Sequence, residues 1–209
     1  MEEMIKHVLS GKCIVYPTTT QPALGCILDS KALDNLYKVK NRDSSLPLSI
    51  GVANIGQARS IVDVPHDVLD ILRYFPDGSL TIILNAVEPL DSRLGGCKVA
   101  IRFLADKNAK RLLEKTGPLT ATSANISGVE PLLNCKEAAH ILTTPEHKVI
   151  GHSGECLDKI PSTLISWHTV CGPLESSNID ILREGIVSSK EILKWWMNQT
   201  LSNGETLDT

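Results

Sequence analysis

Thr122-Ser123-Ala124-Asn125-Ile126-Ser127-Gly128 follows a short apolar run that begins at Leu119, and Lys40-Asn41-Arg42 follows a helical pattern that begins near Ala32. These two stretches, far apart in sequence, govern how the chain reads. The first offers hydroxyls, a side-chain amide and turn backbone; the second offers two cations. Cations neutralise phosphate oxygens while hydroxyls and backbone N–H groups fix their positions. Together the segments have the means to hold a triphosphate. Singly, each has a plainer reading. A Lys-x-Arg also completes a helix dipole at its C-terminus, and a Ser/Asn/Gly cluster is also an ordinary turn.

Outward from these segments, strands and helices alternate. Cys13–Tyr16 and Leu24–Leu28 read as apolar strands. Asp29-Ser30 is a candidate N-cap, and Ala32, Leu33, Leu36, Tyr37 and Val39 have helical spacing up to Lys40. Further strands are expected at Leu48–Val52, Leu80–Leu84, Lys98–Phe103, Leu119–Thr122, Lys148–Gly151, Thr163–Ser166 and Ile179–Leu182. Helices are expected at Met4–Leu9, Ile55–Val62, Pro65–Tyr74 (with proline in its first turn), Lys107–Lys115, Cys135–Leu142 and Ser188–Asn198. Interspersed elements of this kind point to a single α/β domain, here placed at 1–198, with a polar tail at 199–209.

Composition narrows the class. With 209 residues, 42% of them hydrophobic, the chain can bury one sizeable core. A net charge of -3 argues against a dedicated nucleic-acid-binding domain. Aromatics are only 4%, too few for base-stacking platforms. The six cysteines include no C-x-x-C and no histidine at zinc-site spacing, so they read as free thiols in a reducing compartment. The six histidines show no ligand spacing, and His152-Ser153-Gly154 is not a nucleophile elbow. The acidic N-terminus lacks the apolar core of a signal peptide, and no apolar run approaches the ~20 residues that cross a bilayer. A cytoplasmic protein without membrane contact is expected.

The chain resembles the YrdC-like family of threonylcarbamoyl-AMP synthases. The residues carrying the resemblance are Tyr16-Pro-Thr-x-Thr, Leu24-Gly25, Lys40-x-Arg42, Pro47-Leu48-Ser49, Leu80-Thr81-x-Ile83-Leu84, Val99-Ala100-Ile101-Arg102, Thr122-Ser123-Ala124-Asn125-x-Ser127-Gly128, Pro161-Ser162-Thr163 and Ile181-Leu182-Arg183-Glu184-Gly185. They follow the family's order at about its spacing, from the first strand almost to the end. The resemblance implies a large twisted mixed sheet surrounded by helices, with a concave substrate face, in the short, single-domain type. It implies a reaction joining L-threonine, bicarbonate and ATP into threonylcarbamoyl-AMP and pyrophosphate. The product would pass to a tRNA threonylcarbamoyl-transferase complex that modifies the adenosine beside the anticodon; direct tRNA binding would be weak or absent.

The resemblance also assigns roles. Lys40, Arg42, Ser123 and Asn125 form the signature tetrad, implied to be catalytic and ATP-binding, with Arg183 as a late nucleotide contact. Arg102, at the end of an apolar strand, would fork onto the threonine carboxylate, and Thr18, Thr20 and Ser162 would supply hydroxyls. Magnesium would accompany ATP, held mainly by phosphates and water. Arg183 also fits a surface ion pair with Glu184, and the threonine and serine hydroxyls also fit turn and cap chemistry.

The chain departs from the family pattern at Thr19, where an acid is usual, at Pro22-Ala23, where Tyr-Gly is usual, and at Leu46, where a basic or polar residue precedes Pro-Leu. Pro76-Asp77-Gly78-Ser79 replaces a Pro-Gly-Pro. These changes bear on threonine recognition and leave the tetrad intact. A nucleotide- or RNA-binding protein of the same fold, with altered or lost synthase activity, is the alternative they leave open.

Overall fold

The computed structural model describes residues 1–169 and 177–204. Helix α1 (Glu2–Leu9) begins on Glu2 and Glu3 and ends near Lys6 and His7, charges that complement its dipole. Strands β1 (Ile14–Tyr16) and β2 (Ala23–Gly25) follow. Helix α2 (Ser30–Lys40) starts where the Asp29 carboxylate accepts from the N–H groups of Lys31 and Ala32, the cap the sequence suggests. Next come β3 (Ile50–Val52), α3 (Ile55–Arg59), α4 (His66–Tyr74), β4 (Leu80–Asn85), β5 (Lys98–Phe103) and α5 (Lys107–Thr116). The chain continues through β6 (Leu119–Thr120), β7 (Thr122–Ser123), α6 (Cys135–Leu142), β8 (Ile150–Gly151), β9 (Thr163–Thr169), β10 (Ser177–Arg183) and α7 (Ser189–Gly204).

The mixed α/β architecture agrees with the sequence reading, and the strands divide between two sheets. One has the order β7-β2-β1-β8, with β1 antiparallel to β2 and parallel to β8. The other has the order β10-β9-β4-β5-β3-β6, with parallel and antiparallel neighbours mixed. The run 119–122, expected as one strand, is split between them. Leu119–Thr120 pairs with β3, while Thr122–Ser123 pairs with β2. Ala121 is the crossing point: its N–H donates to Ser49 O (2.8 Å) and its carbonyl accepts from Ser49 Oγ (2.8 Å). Ser123 therefore leaves the junction of the two sheets.

Other boundaries moved for local reasons. The expected strand Leu24–Leu28 stops at Gly25, because Cys26 N–H turns to the Thr120 hydroxyl (3.0 Å) and its carbonyl to Thr120 N–H. Helix α3 ends at Arg59, and Val62 instead bridges Ala86. Helix α7 runs past Asn198 to Gly204; residues 205–209 of the expected tail lie outside the described residues, as does Cys171.

Most buried apolar residues form one cluster that draws on both sheets, joined by a smaller one between α1, α5 and β1. Tyr16 is fully buried, its hydroxyl donating to Thr120 O (2.8 Å). Its ring needs Gly25 opposite, since a Cβ there would lie 2.5 Å from Tyr16 Cε1. The described cysteines, Cys13, Cys26, Cys97, Cys135 and Cys156, are free thiols, and all but Cys97 are buried. Among the described residues no helix is long and apolar enough to cross a membrane.

Candidate active site

Where the two sheets meet, a cavity of about 220 Å³ opens between β2, β4, β5 and the loops after β1 and α2. Arg42, Arg102 and Arg183 line it together with Thr20, Ser49, Thr81, Thr122, Ser123 and Ser162, and among the described residues no carboxylate does. Three guanidiniums around one space repel each other and are costly to desolvate without a counter-charge. An anion would supply that counter-charge.

Arg102 is the deepest of the three, 5% exposed on β5. Its Nε donates to Gly78 O (3.1 Å), and its Nη2 donates to Gly78 O (2.9 Å) and Thr20 Oγ1 (2.8 Å). Burial brings its pKa down to about 10, and the Arg183 charge adds to the effect. Even there the group is a cation at neutral pH. Arg183 donates to Ser162 O (2.7 Å). Partial burial, and then the nearby Arg42 charge, pull it below the ordinary arginine range. Arg42 donates from Nε to Leu46 O and from Nη2 to Pro47 O, both at 3.2 Å.

Lys40 is arranged differently. It is the last residue of α2 and 1% exposed. Asn41 follows in the left-handed region at φ 48°, a conformation asparagine tolerates, and so separates the directions of Lys40 and Arg42. Lys40 Nζ donates to Ser123 O (2.5 Å), Asn125 O (2.9 Å) and Asn125 Oδ1 (3.3 Å), and Ser127 N–H donates back to Lys40 O (2.9 Å). Ser123 Oγ donates to Asn125 Oδ1 (2.5 Å), while Asn125 Nδ2 donates to Ile126 O (3.1 Å) and Val129 O (2.5 Å). Burial, and next the Arg42 charge, lower the Lys40 amine to about 7. Three oxygens around Nζ are what an ammonium requires.

The profile of the Sua5/YciO/YrdC family, described as telomere recombination, matches residues 6–185. The chain belongs to this family. A relative from Methanocaldococcus jannaschii is 29% identical over 195 residues, covering 93% of this chain and 89% of its own. The threonylcarbamoyl-AMP synthase of Pseudoalteromonas translucida is 33% identical over 142 residues, covering 64% of this chain and 75% of its own. Among solved structures, Pyrococcus abyssi Sua5, crystallised with L-threonine, superposes with a TM-score of 0.77 at 27% identity. That match covers 91% of this chain, which spans 55% of the Sua5 chain.

Within this family fold, six residues singled out from sequence converge on the cavity: Arg42, Arg102, Ser123, Arg183, Thr20 and Ser162. Lys40 and Asn125 stand behind its wall, joined to it through Ser123. Thr18 also stands back: its hydroxyl donates to Gln21 O (2.7 Å) and accepts from Thr20 N–H (3.1 Å), which is turn chemistry that shapes the loop. Arg183 makes no ion pair with Glu184; the Glu184 carboxylate accepts instead from Ser189 N–H (2.9 Å). Thr81, Ser49 and Gln21 also line the cavity; Thr81 and Ser49 lie within the family's motifs, but the sequence reading gave none of the three a place in the site. Thr81 and Ser162 share a hydrogen bond of 2.7 Å. The available signal was a lone hydroxyl residue in the apolar strand Leu80–Leu84, which period-two patterning reads as only an outward-facing position.

Proposed function

We propose that this chain is a threonylcarbamoyl-AMP synthase. The carrying observation is the acid-free cavity ringed by Arg42, Arg102 and Arg183. An amino acid fits about 220 Å³, whereas a nucleotide must extend through the mouth, since sites that enclose whole ligands run to roughly 300–1,000 Å³.

In this reading the threonine carboxylate meets Arg102 at the cavity floor, with its hydroxyl near the Thr81–Ser162 pair. The threonine amine forms a C–N bond to bicarbonate, and water is lost. A carbamate oxygen then forms a bond to the α-phosphorus of ATP as the bond to the β-phosphate oxygen breaks. Arg42 and Arg183, at the mouth, neutralise the departing pyrophosphate. No side chain needs to act as nucleophile; positioning and charge neutralisation supply the rate enhancement. Ser123 would reach the phosphates by turning its hydroxyl from Asn125 Oδ1, and Lys40 with Asn125 holds the loop that carries it.

Magnesium travels with ATP in this reading. Phosphate oxygens and water would be its main ligands. No step is assigned to it. The product is handed, in the cytoplasm, to a transferase complex that modifies tRNA. A net charge of -3 supports weak or absent direct contact with tRNA.

The test is incubation with radiolabelled bicarbonate, threonine, ATP and magnesium. Threonine-dependent incorporation of label, with equimolar pyrophosphate, is expected. The departures Pro22 and Ala23 lie on the cavity wall. They favour a second reading, nucleotide binding without synthesis, which would appear as ATP binding with no threonine-dependent pyrophosphate.

A further inference from the structure

We propose that Gly78 is the positioning residue of the Arg102 anchor: its carbonyl aims the guanidinium into the cavity, and only glycine lets that carbonyl stand where it does. The proposal rests on the synthase reading for its kinetic consequence, though not for its geometry.

Arg102 is 5% exposed and makes no ion pair among the described residues. Three hydrogen bonds hold it, and two of them end on a single atom, Gly78 O, at 3.1 Å from Nε and 2.9 Å from Nη2. The third goes to Thr20 Oγ1. A guanidinium is planar, so fixing its Nε–Nη2 edge fixes the direction of the remaining Nη1 edge. With both Nη2 protons taken by Gly78 O and Thr20 Oγ1, Nη1 is the nitrogen left for an arriving carboxylate.

The position of Gly78 O is in turn set by a backbone that other residues resist. Gly78 has φ +78°, in the left-handed region. A Cβ at Gly78 would lie 2.5 Å from Thr19 Oγ1, with Ala105 Cβ and Phe103 O at 3.5 Å. The Thr19 hydroxyl donates to Asp77 O (3.4 Å), so the 19–20 loop and the 77–78 turn are clasped on both sides of the guanidinium. Behind the turn lies a second cavity of about 390 Å³, lined by Asp77, Gly78 and Ala105 among others. Little packing backs the turn there. Any side chain at 78 would strain φ and push the exposed Thr19 hydroxyl off Asp77 O, and the turn, released from that clasp, has room to yield away from Arg102.

The experiment compares Gly78→Ala with Gly11→Ala. Gly11 has φ +79° and nothing within 4 Å of a built Cβ, so it reproduces the backbone strain without the Thr19 collision. Losing one charge-assisted hydrogen bond predicts a rise in the threonine KM of about tenfold or more in Gly78→Ala. The ATP KM should change less than about twofold, as should both constants in Gly11→Ala, since neither touches the anchor. Thr19→Ala in the Gly78→Ala background removes the collision and should recover part of the threonine KM; it also replaces the single variant if that fails to fold. Independently of turnover, the Arg102 Nε–H resonance, assigned by its loss in Arg102→Lys, should shift in Gly78→Ala and stay in place in Gly11→Ala. An unshifted Nε–H resonance in Gly78→Ala overturns the proposal, whether or not the wild type makes product. So does an equal rise in threonine KM in Gly11→Ala. Failure of the wild type to incorporate bicarbonate sinks the synthase reading alone.

Discussion

Lys40 Nζ lies 2.5 Å from the carbonyl oxygen of Ser123, a residue 83 positions further along the chain. A helix C-terminus and a loop leaving the sheet junction are thereby tied by an amine that water hardly reaches. The tie uses the main chain of Ser123, while its hydroxyl donates to Asn125 Oδ1 and joins the same network. The tetrad is therefore divided in its roles. Arg42 and Ser123 line the cavity, while Lys40 and Asn125 stand behind its wall.

The buried Lys40 amine should leave a mark on stability. Unfolded, lysine titrates near its ordinary value of about 10.4; folded, Lys40 titrates at about 7. Between those values the unfolded chain binds the extra proton, so stability rises with pH across the window, and the cost is fully present below about pH 7. Urea unfolding of wild type and Lys40→Met at pH 7 and 9 should show wild type gaining relative to the variant. Equal changes would mean that the amine does not titrate in this range.

Ser123→Ala and Asn125→Ala should differ in kind. Ser123→Ala keeps the carbonyl that Lys40 uses, so it should lower turnover with a small stability loss. Asn125→Ala removes an acceptor of Lys40 and Ser123 and two donor contacts to Ile126 O and Val129 O. It should lower stability by roughly 1–3 kcal/mol as well as turnover. Thermal melts beside pyrophosphate release check the order; equal melts for the two variants would contradict the wall role of Asn125.

Arg42 and Arg102 should divide the two substrates. Arg42→Ala should weaken nucleotide binding, and Arg102→Ala threonine binding, each by roughly 1.5–3 kcal/mol for a lost charge-assisted contact. Lysine at either position should remain impaired, because a point charge does not reproduce a planar fork. Titration with a non-hydrolysable ATP analogue and with threonine separates the effects. A loss of threonine binding in Arg42→Ala equal to that in Arg102→Ala would merge the two sites.

Selectivity for threonine over valine should depend on the Thr81–Ser162 pair. Valine would forgo the hydrogen bond that a substrate hydroxyl adds to the mutually bonded Thr81–Ser162 pair. Ser162→Ala should therefore narrow the threonine preference mainly by weakening threonine. Competition binding with both amino acids is the measurement, and an unchanged ratio would place the substrate hydroxyl elsewhere.

The alternation of strands and helices was legible in the sequence, because caps such as Asp29 and periodic apolar faces such as Ala32–Val39 are local and speak for themselves. So were the chemistry-bearing residues, since Lys-x-Arg, Ser-x-Asn and an arginine ending an apolar strand are compositional facts. Which of them share a space emerged only from the folded chain. Ala121 moves the chain from one sheet to the other, a pairing choice set by long-range partners such as Ser49 that no window around residues 119–123 contains. The same holds for Lys40, whose pattern at a helix end fits a solvated cation. It is buried because Ser123 and Asn125, in a loop more than 80 residues on, supply three oxygens that make desolvation tolerable. Thr81 was legible as a hydroxyl in a strand, but its place facing Ser162 follows from the parallel register of β4 with β9, which fixes the sides of both strands only once they meet.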